Sequence, residues 1–311
     1  MRLLCATDLL PKSEAAIDRA GLLAGELGAS LSLLHVVPPS ASERVLEQTL
    51  QNAVGQLRSR ARPPLWREGP APNVLVRTGN PARLILETLE EMKPDLLVMG
   101  PHRPRGVRDA LEGTIAAKAL SARHCPILIV QREARTKYRN VLLGLDLSAT
   151  SKAALRAAES LVLTGGARAR IVHAYEPPYE GMVHYAGVDI SSVAAYAAGW
   201  RREAMTAVRD LLKYQSGKFD RYSIQLEQGR PSGALLRSIR RSEPDLLVMG
   251  TRGRGRIRRV LLGSVASEVL HRAHCDVLVV PQGSFDAKKT RRGAINSVRA
   301  SEVLPEVIPG A

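Results

Sequence analysis

Pro94-Asp95-Leu96-Leu97-Val98-Met99-Gly100 recurs without change at Pro244–Gly250. Its four central residues are apolar in succession rather than alternating with polar ones. A strand of that pattern is buried on both faces, as in a parallel sheet covered by helices. Working outward, the same offset of 150 (94 to 244) relates Gly79 and Pro81 to Gly229 and Pro231, Gly113-Thr114 to Gly263-Ser264, and His124-Cys125 to His274-Cys275. Further upstream the offset is 138: Thr7-Asp8 answers Leu145-Asp146 and His35 answers His173. The second copy therefore carries about twelve extra residues, around 178–200. Matches on both sides of an identical heptapeptide make the chain a tandem duplication.

Each copy reads as alternating strands and helices. An apolar strand (Leu3–Thr7; Val141–Leu145) leads to an amphipathic helix (Ser13–Leu27; Ser151–Leu163) closed by Gly. A second strand (Leu31–Val37; Ala169–Tyr175) ends before Pro, and a second helix covers about 43–62 and 190–214. A third strand (Val74–Arg77; Ser223–Glu227) runs into Gly-x-Pro and a third helix (Pro81–Met92; Pro231–Arg241), with Pro at the first turn. The repeated heptapeptide is strand four. A fourth helix (Gly113–Ala122; Gly263–Ala273) and a fifth strand (Ile127–Val130; Val277–Val280) complete the unit. The expected fold is α/β: two doubly wound, mainly parallel five-stranded sheets, packed as a pseudo-two-fold pair. The expected domains are 1–133 and 137–282, joined by a polar linker near 131–137, with 283–311 as a mobile tail.

The 311 residues are 45% hydrophobic but only 4% aromatic, so the cores are aliphatic. Three cysteines are an odd number and argue against a disulfide framework. Cys125 and Cys275 read as small buried hydrophobes. The apolar stretch at Arg2–Ala6 is ended by Asp8, too early for an export signal, and no run of about 18 apolar residues spans a membrane. A reducing cytoplasm is the expected compartment. A formal charge of +15 favours anionic partners but says nothing of the fold.

Ligands of open α/β sheets sit beyond the carboxyl ends of the strands. In the second copy those ends carry Gly144-Leu145-Asp146-Leu147-Ser148, Ala174-Tyr175, and Gly250-Thr251-Arg252-Gly253-Arg254-Gly255. Glycines let backbone amides approach a phosphate, and free N–H groups at a helix start attract an anion. Ser264 reads either as a helix cap or as a phosphate ligand. Asp146 reads as a ligand group or as a cap of the following helix. The arginines at 252, 254, 256, 258 and 259 read as a solvated face, a phosphate contact or a nucleic-acid contact. His35 and His173, within apolar strands, read as packed structural residues.

The spacing Gly250-x2-Gly253-x9-Gly263-Ser264, on strand four of this repeat, resembles the nucleotide signature of the universal stress protein family. The resemblance covers about residues 1–282. It implies a Rossmann-like fold of the adenine-nucleotide α-hydrolase kind, ATP as ligand, and Mg or Mn on its phosphates. It implies that Asp146, after Gly144, holds the adenine or ribose side. Gly250, Thr251, Arg252, Gly253, Gly263, Ser264 and Val265 would hold the phosphates. In the family the fifth strand commonly makes a dimer contact, so pairing of the two copies and a homodimer are both expected. The first copy departs from the pattern: Gly100-Pro101-His102-Arg103-Pro104 puts Arg103 where glycine is needed, and Leu10 stands where the second copy has Ser148.

No Walker sequence, Cys-x2-Cys, His-Glu-x2-His or Gly-x-Ser-x-Gly is present, and Arg258 breaks Gly-x-Gly-x2-Gly. No nucleophile, base and orienting group meet in one motif, which favours a binding module with an unknown protein partner over a catalyst. A slow ATPase and a nucleic-acid-binding protein are the rival expectations. The second is weakened by the low aromatic content, 4%, for stacking bases and by the lack of a recognised reading motif.

Overall fold

The computed structural model describes residues 1–61, 71–101, 114–178, 190–215, 221–251 and 263–284, and the backbone of 307–308. The first copy runs β1 (Arg2–Thr7), α1 (Pro11–Leu27), β2 (Ser30–Val37), α2 (Glu43–Arg60), β3 (Asn73–Thr78), α3 (Pro81–Met92), β4 (Leu96–Met99), α4 (Ile115–Ala122) and β5 (Ile127–Ile129). The second runs β6 (Asn140–Gly144), α5 (Ala149–Leu161), β7 (Arg168–Tyr175), α6 (Ile190–Gln215), β8 (Tyr222–Gln228), α7 (Pro231–Ser242), β9 (Leu246–Gly250), α8 (Ser264–Arg272) and β10 (Asp276–Val280). Pro at the first turn starts α1, α3 and α7, where its missing N–H leaves no donor unpaired. Gly28, at φ 57, ends α1 in the left-handed region.

With a two-residue strand β11 (Val307–Ile308) at one edge, the strand order is β11-β3-β2-β1-β4-β5-β10-β9-β6-β7-β8. Neighbours are parallel throughout except β5 and β10, which run antiparallel with Ile127 opposite Val279, Leu128 opposite Leu278 and Ile129 opposite Val277. The two separate five-stranded sheets expected from the sequence are thus one continuous sheet. The reason is the fifth strand of each copy. Both are buried, β5 wholly apolar and β10 apolar after Asp276, and their outer backbone groups need partners. Each copy's edge supplies the other's, about a local two-fold at Leu128 and Leu278.

Helices cover both faces. On one face Leu3, Cys5 and Leu33 pack with α1 and α2, and Leu143 and Ile171 with α5 and α6. On the other, Leu4 and Leu97 pack with α3 and α4, and Leu247 and Val277 with α7 and α8. Each apolar layer runs unbroken across both copies. Cys5, Cys125 and Cys275 are all buried, and burial raises each thiol to about 12.

The linker is tied down at the join. Asp276 Oδ1 accepts from the backbone N–H of Gln131 at 2.8 Å and Arg132 at 3.2 Å, and Oδ2 from Tyr138 Oη at 2.6 Å. Arg19 of α1 lies 3.3 Å from Asp276 Oδ2, stacks 3.8 Å over the Tyr138 ring and donates to Thr136 O at 2.8 Å. The expected mobile tail falls outside the described residues, apart from 283–284 and the two-residue β11 (Val307–Ile308), which pairs with β3.

Candidate functional site

The chain leaves β6 at Gly144 and turns sharply at Asp146. Asp146 Oδ1 accepts from the backbone N–H of Ser148 at 3.1 Å and from Ser151 Oγ, which in turn accepts from the Asp146 N–H at 2.8 Å. The turn holds Leu147 at φ +64, a left-handed value that a branched residue adopts only under constraint. Ser148 caps α5 by accepting from Ser151 N–H. The first copy repeats the device: Asp8 Oδ1 accepts from Leu10 N–H at 3.0 Å and Ser13 Oγ at 2.6 Å, with Leu9 at φ +59. There, however, Leu10 provides no side-chain cap. Asp146 thus shapes the turn through Oδ1 and still faces the cavity beyond the strand ends.

That cavity, of about 710 Å3, opens across the ends of β6, β7 and β9. Gly144, Asp146, Gly250, Thr251, Gly263, Ser264 and Val265 all line it. Arg252 and Gly253, with the arginine run, lie outside the described residues. Thr251 is buried; its N–H donates to Val280 O at 3.2 Å and its carbonyl accepts from Gly263 N–H at 2.9 Å. The contact closes the long loop, so the start of α8 sits directly beside the end of β9.

Gly250 and Gly144 have packing reasons for lacking a side chain. A Cβ on Gly250 would stand 2.7 Å from Thr150 Cβ, and one on Gly144 2.9 Å from Leu235 Cδ2. Gly263 is the N-cap of α8 at φ −62, and no side chain among the described residues caps that helix. Ser264 is its first residue and not its cap. The N-terminal turn of α8, Ser264–Ala266, therefore lines the cavity with no side-chain acceptor among the described residues on its amides, the arrangement that binds anions. In the first copy the Thr114 hydroxyl caps α4 by accepting from Ala117 N–H at 3.1 Å. One copy fills the helix start with its own hydroxyl; the other leaves it open.

His173 and His35 are structural ties. His173 Nδ1 donates to Leu145 O at 2.7 Å and His35 Nδ1 to Thr7 O at 2.9 Å, since a carbonyl can only accept. The far wall was not read from sequence. Trp200, Glu203, Ala204 and Ala207, on one face of α6 at i, i+3, i+4 and i+7, line the cavity with Glu176 beyond β7. Tyr196 Oη donates to Pro178 O at 2.6 Å and its ring meets Trp200 edge-on, which pins α6 over the end of β7. The twelve-residue excess of the second copy was the signal for this wall. Among the described residues no three His, Cys, Asp or Glu side chains gather as metal ligands, and no helix is long and apolar enough to cross a membrane.

Two like halves sharing one mainly parallel sheet, with a cavity beyond the strand ends of the second, define a tandem doubly wound α/β protein. The model of the universal stress protein family matches residues 1–131 and again 137–281, and the chain belongs to that family. A universal stress protein of Thermus aquaticus is 35% identical over 143 residues, 46% of this chain and 98% of that protein. The crystal structure of a universal stress protein from Archaeoglobus fulgidus covers 91% of this chain and 96% of its own, with TM-score 0.67 and 18% identity, a likeness of fold. A universal stress protein solved in complex with cAMP is 28% identical over 48% of this chain, with TM-score 0.33.

Proposed function

We propose that the second copy binds ATP and that the protein acts as a nucleotide-responsive regulatory module of the cytoplasm rather than as a catalyst. The observation that carries this is the start of α8, uncapped among the described residues, facing a cavity of about 710 Å3 that Asp146 also lines. The amides of Ser264–Ala266 supply positive potential for phosphate, and Val172, Leu235 and Trp200 supply an apolar surface for a base. ATP brings its own triphosphate as the ligand set for Mg or Mn, and the described protein residues add no metal cluster to it. The first copy binds none in this proposal: Thr114 occupies its helix start, and Arg103, outside the described residues, replaces the loop glycine.

The test is to purify the protein without added ligand, denature it and identify released nucleotide by mass spectrometry, then to titrate ATP by calorimetry. One nucleotide per chain is expected, with Asp146→Ala and Gly253→Val both weakening binding. Unchanged affinity in both variants, or two equivalents per chain, would sink the assignment. Steady-state turnover with Mg-ATP separates the slow-ATPase alternative, and a mobility shift at physiological salt separates nucleic-acid binding.

A further inference from the structure

We infer that Glu203 of α6, together with Glu176, reads the sugar hydroxyls of the bound nucleotide; this rests on the nucleotide site proposed above. The cavity has two chemically different ends. In the strand order β9-β6-β7, the open start of α8 lies on the β9 side, and Glu176 and α6 lie on the β7 side. A carboxylate repels phosphate and accepts hydrogen bonds from O–H groups, so the ligand is held with its phosphates toward α8 and its hydroxyls toward the glutamates.

These two carboxylates also have no partner among the described residues. The chain has 45 Lys and Arg against 30 Asp and Glu. Glu87, Glu91, Glu133, Glu227 and Glu268 are all paired with arginine. Among the described residues, Glu176 and Glu203 make no ion pair and no hydrogen bond, although they line the same cavity. Trp200 sits one turn before Glu203 on the same helix face. An aromatic plane for a base, followed within one turn by a two-oxygen acceptor, matches a nucleoside, whose vicinal ribose hydroxyls offer two donors. Acidic side chains hold ribose hydroxyls in other doubly wound sheets for the same reason. Trp200 and Glu203 belong to the helix lengthened by the second copy's insertion, and Glu176 lies just before that insertion. The first copy has no counterpart to that excess.

The experiment is calorimetric titration of the full chain with ATP, 2′-deoxyATP and 3′-deoxyATP, for the wild type and for Glu203→Ala, Glu203→Gln and Glu203→Ala/Glu176→Ala. The wild type is expected to bind ATP about tenfold more tightly than either deoxy analogue, the effect of one charge-assisted hydrogen bond at a half-open site. Glu203→Ala is expected to bind all three alike, at the affinity of the deoxy analogues, with Glu203→Gln intermediate. Because Glu203 is exposed, its variants keep their melting temperature. ATP binding with no sugar discrimination in the wild type overturns the inference and leaves the nucleotide site standing. Discrimination that survives in the double variant overturns it too. No binding of any nucleotide overturns both.

Discussion

A methyl group at Gly250 would meet Thr150 at 2.7 Å and the Thr150 backbone at 3.0 Å, so Gly250→Ala is expected to destabilise the protein by about 1–3 kcal/mol through overpacking. Gly263 sits at φ −62, which any residue adopts, and Gly263→Ala is expected to change stability by less than about 1 kcal/mol. Chemical denaturation of the two variants checks the contrast; equal losses would remove the distinction. Glu26 provides a pH test. Its side chain is 7% exposed and Oε1 has no hydrogen-bond partner, with Lys137 Nζ 3.8 Å away. Burial raises its carboxyl above the ordinary 4.5, against the opposing charges of Lys137 and Arg19. The native state therefore holds this proton to higher pH than the unfolded chain does. The stability it contributes is full below about 4.5 and is lost as pH rises through the native value. Glu26→Gln should thus be more stable than wild type at pH 7, with the gain shrinking toward pH 4. Urea melts at both pH values measure this, and a gain that grows on acidification would contradict it.

Arg19 on α1, Tyr138 in the linker and Asp276 on β10 join three elements that the sequence places far apart. Removing one member leaves a buried charge without its counterpart: Asp276 is 1% and Arg19 5% exposed. Asp276→Ala is expected to destabilise by about 3–5 kcal/mol, while Arg19→Leu/Asp276→Leu should lose less than the sum of the single changes. A double-mutant cycle by denaturation settles it, and additive losses would show no coupling. Nothing in the sequence announced this cluster, because Asp276 falls where the first copy has Pro126 and Arg19 where the second has Ala157. What was legible was repeated or periodic: the uninterrupted apolar run of β4 and β9, the Pro and Gly that bound helices, the aspartate after the first strand of each copy. The open start of α8 was legible as Gly263-Ser264, but which of the two was the cap needed coordinates. The wall of Trp200 and Glu203 was not legible, since an insertion shows extra chain without showing which helix face turns inward.

The continuous sheet makes the two copies one thermodynamic body. Leu128 and Leu278 meet across the β5–β10 join, and both belong to a core layer that reaches from Leu3 in the first copy to Ile171 in the second. Separating the copies would expose two apolar edges and the buried Asp276 cluster together, so neither copy melts alone at little cost. Calorimetry is expected to show one thermal transition, with van't Hoff and calorimetric enthalpies in agreement. A ligand that binds only the folded second copy then stabilises the whole, because its binding free energy is drawn on by any opening that unfolds its site. ATP at about 100 times its Kd should raise that single transition by the equivalent of about 2.7 kcal/mol. Amide exchange should slow in β1, at Leu3–Ala6, as well as in β6 and β9, although no residue of β1 lines the cavity. Two separable transitions, only one of them moved by ATP, would show instead that the β5–β10 join holds the copies side by side without coupling their stability.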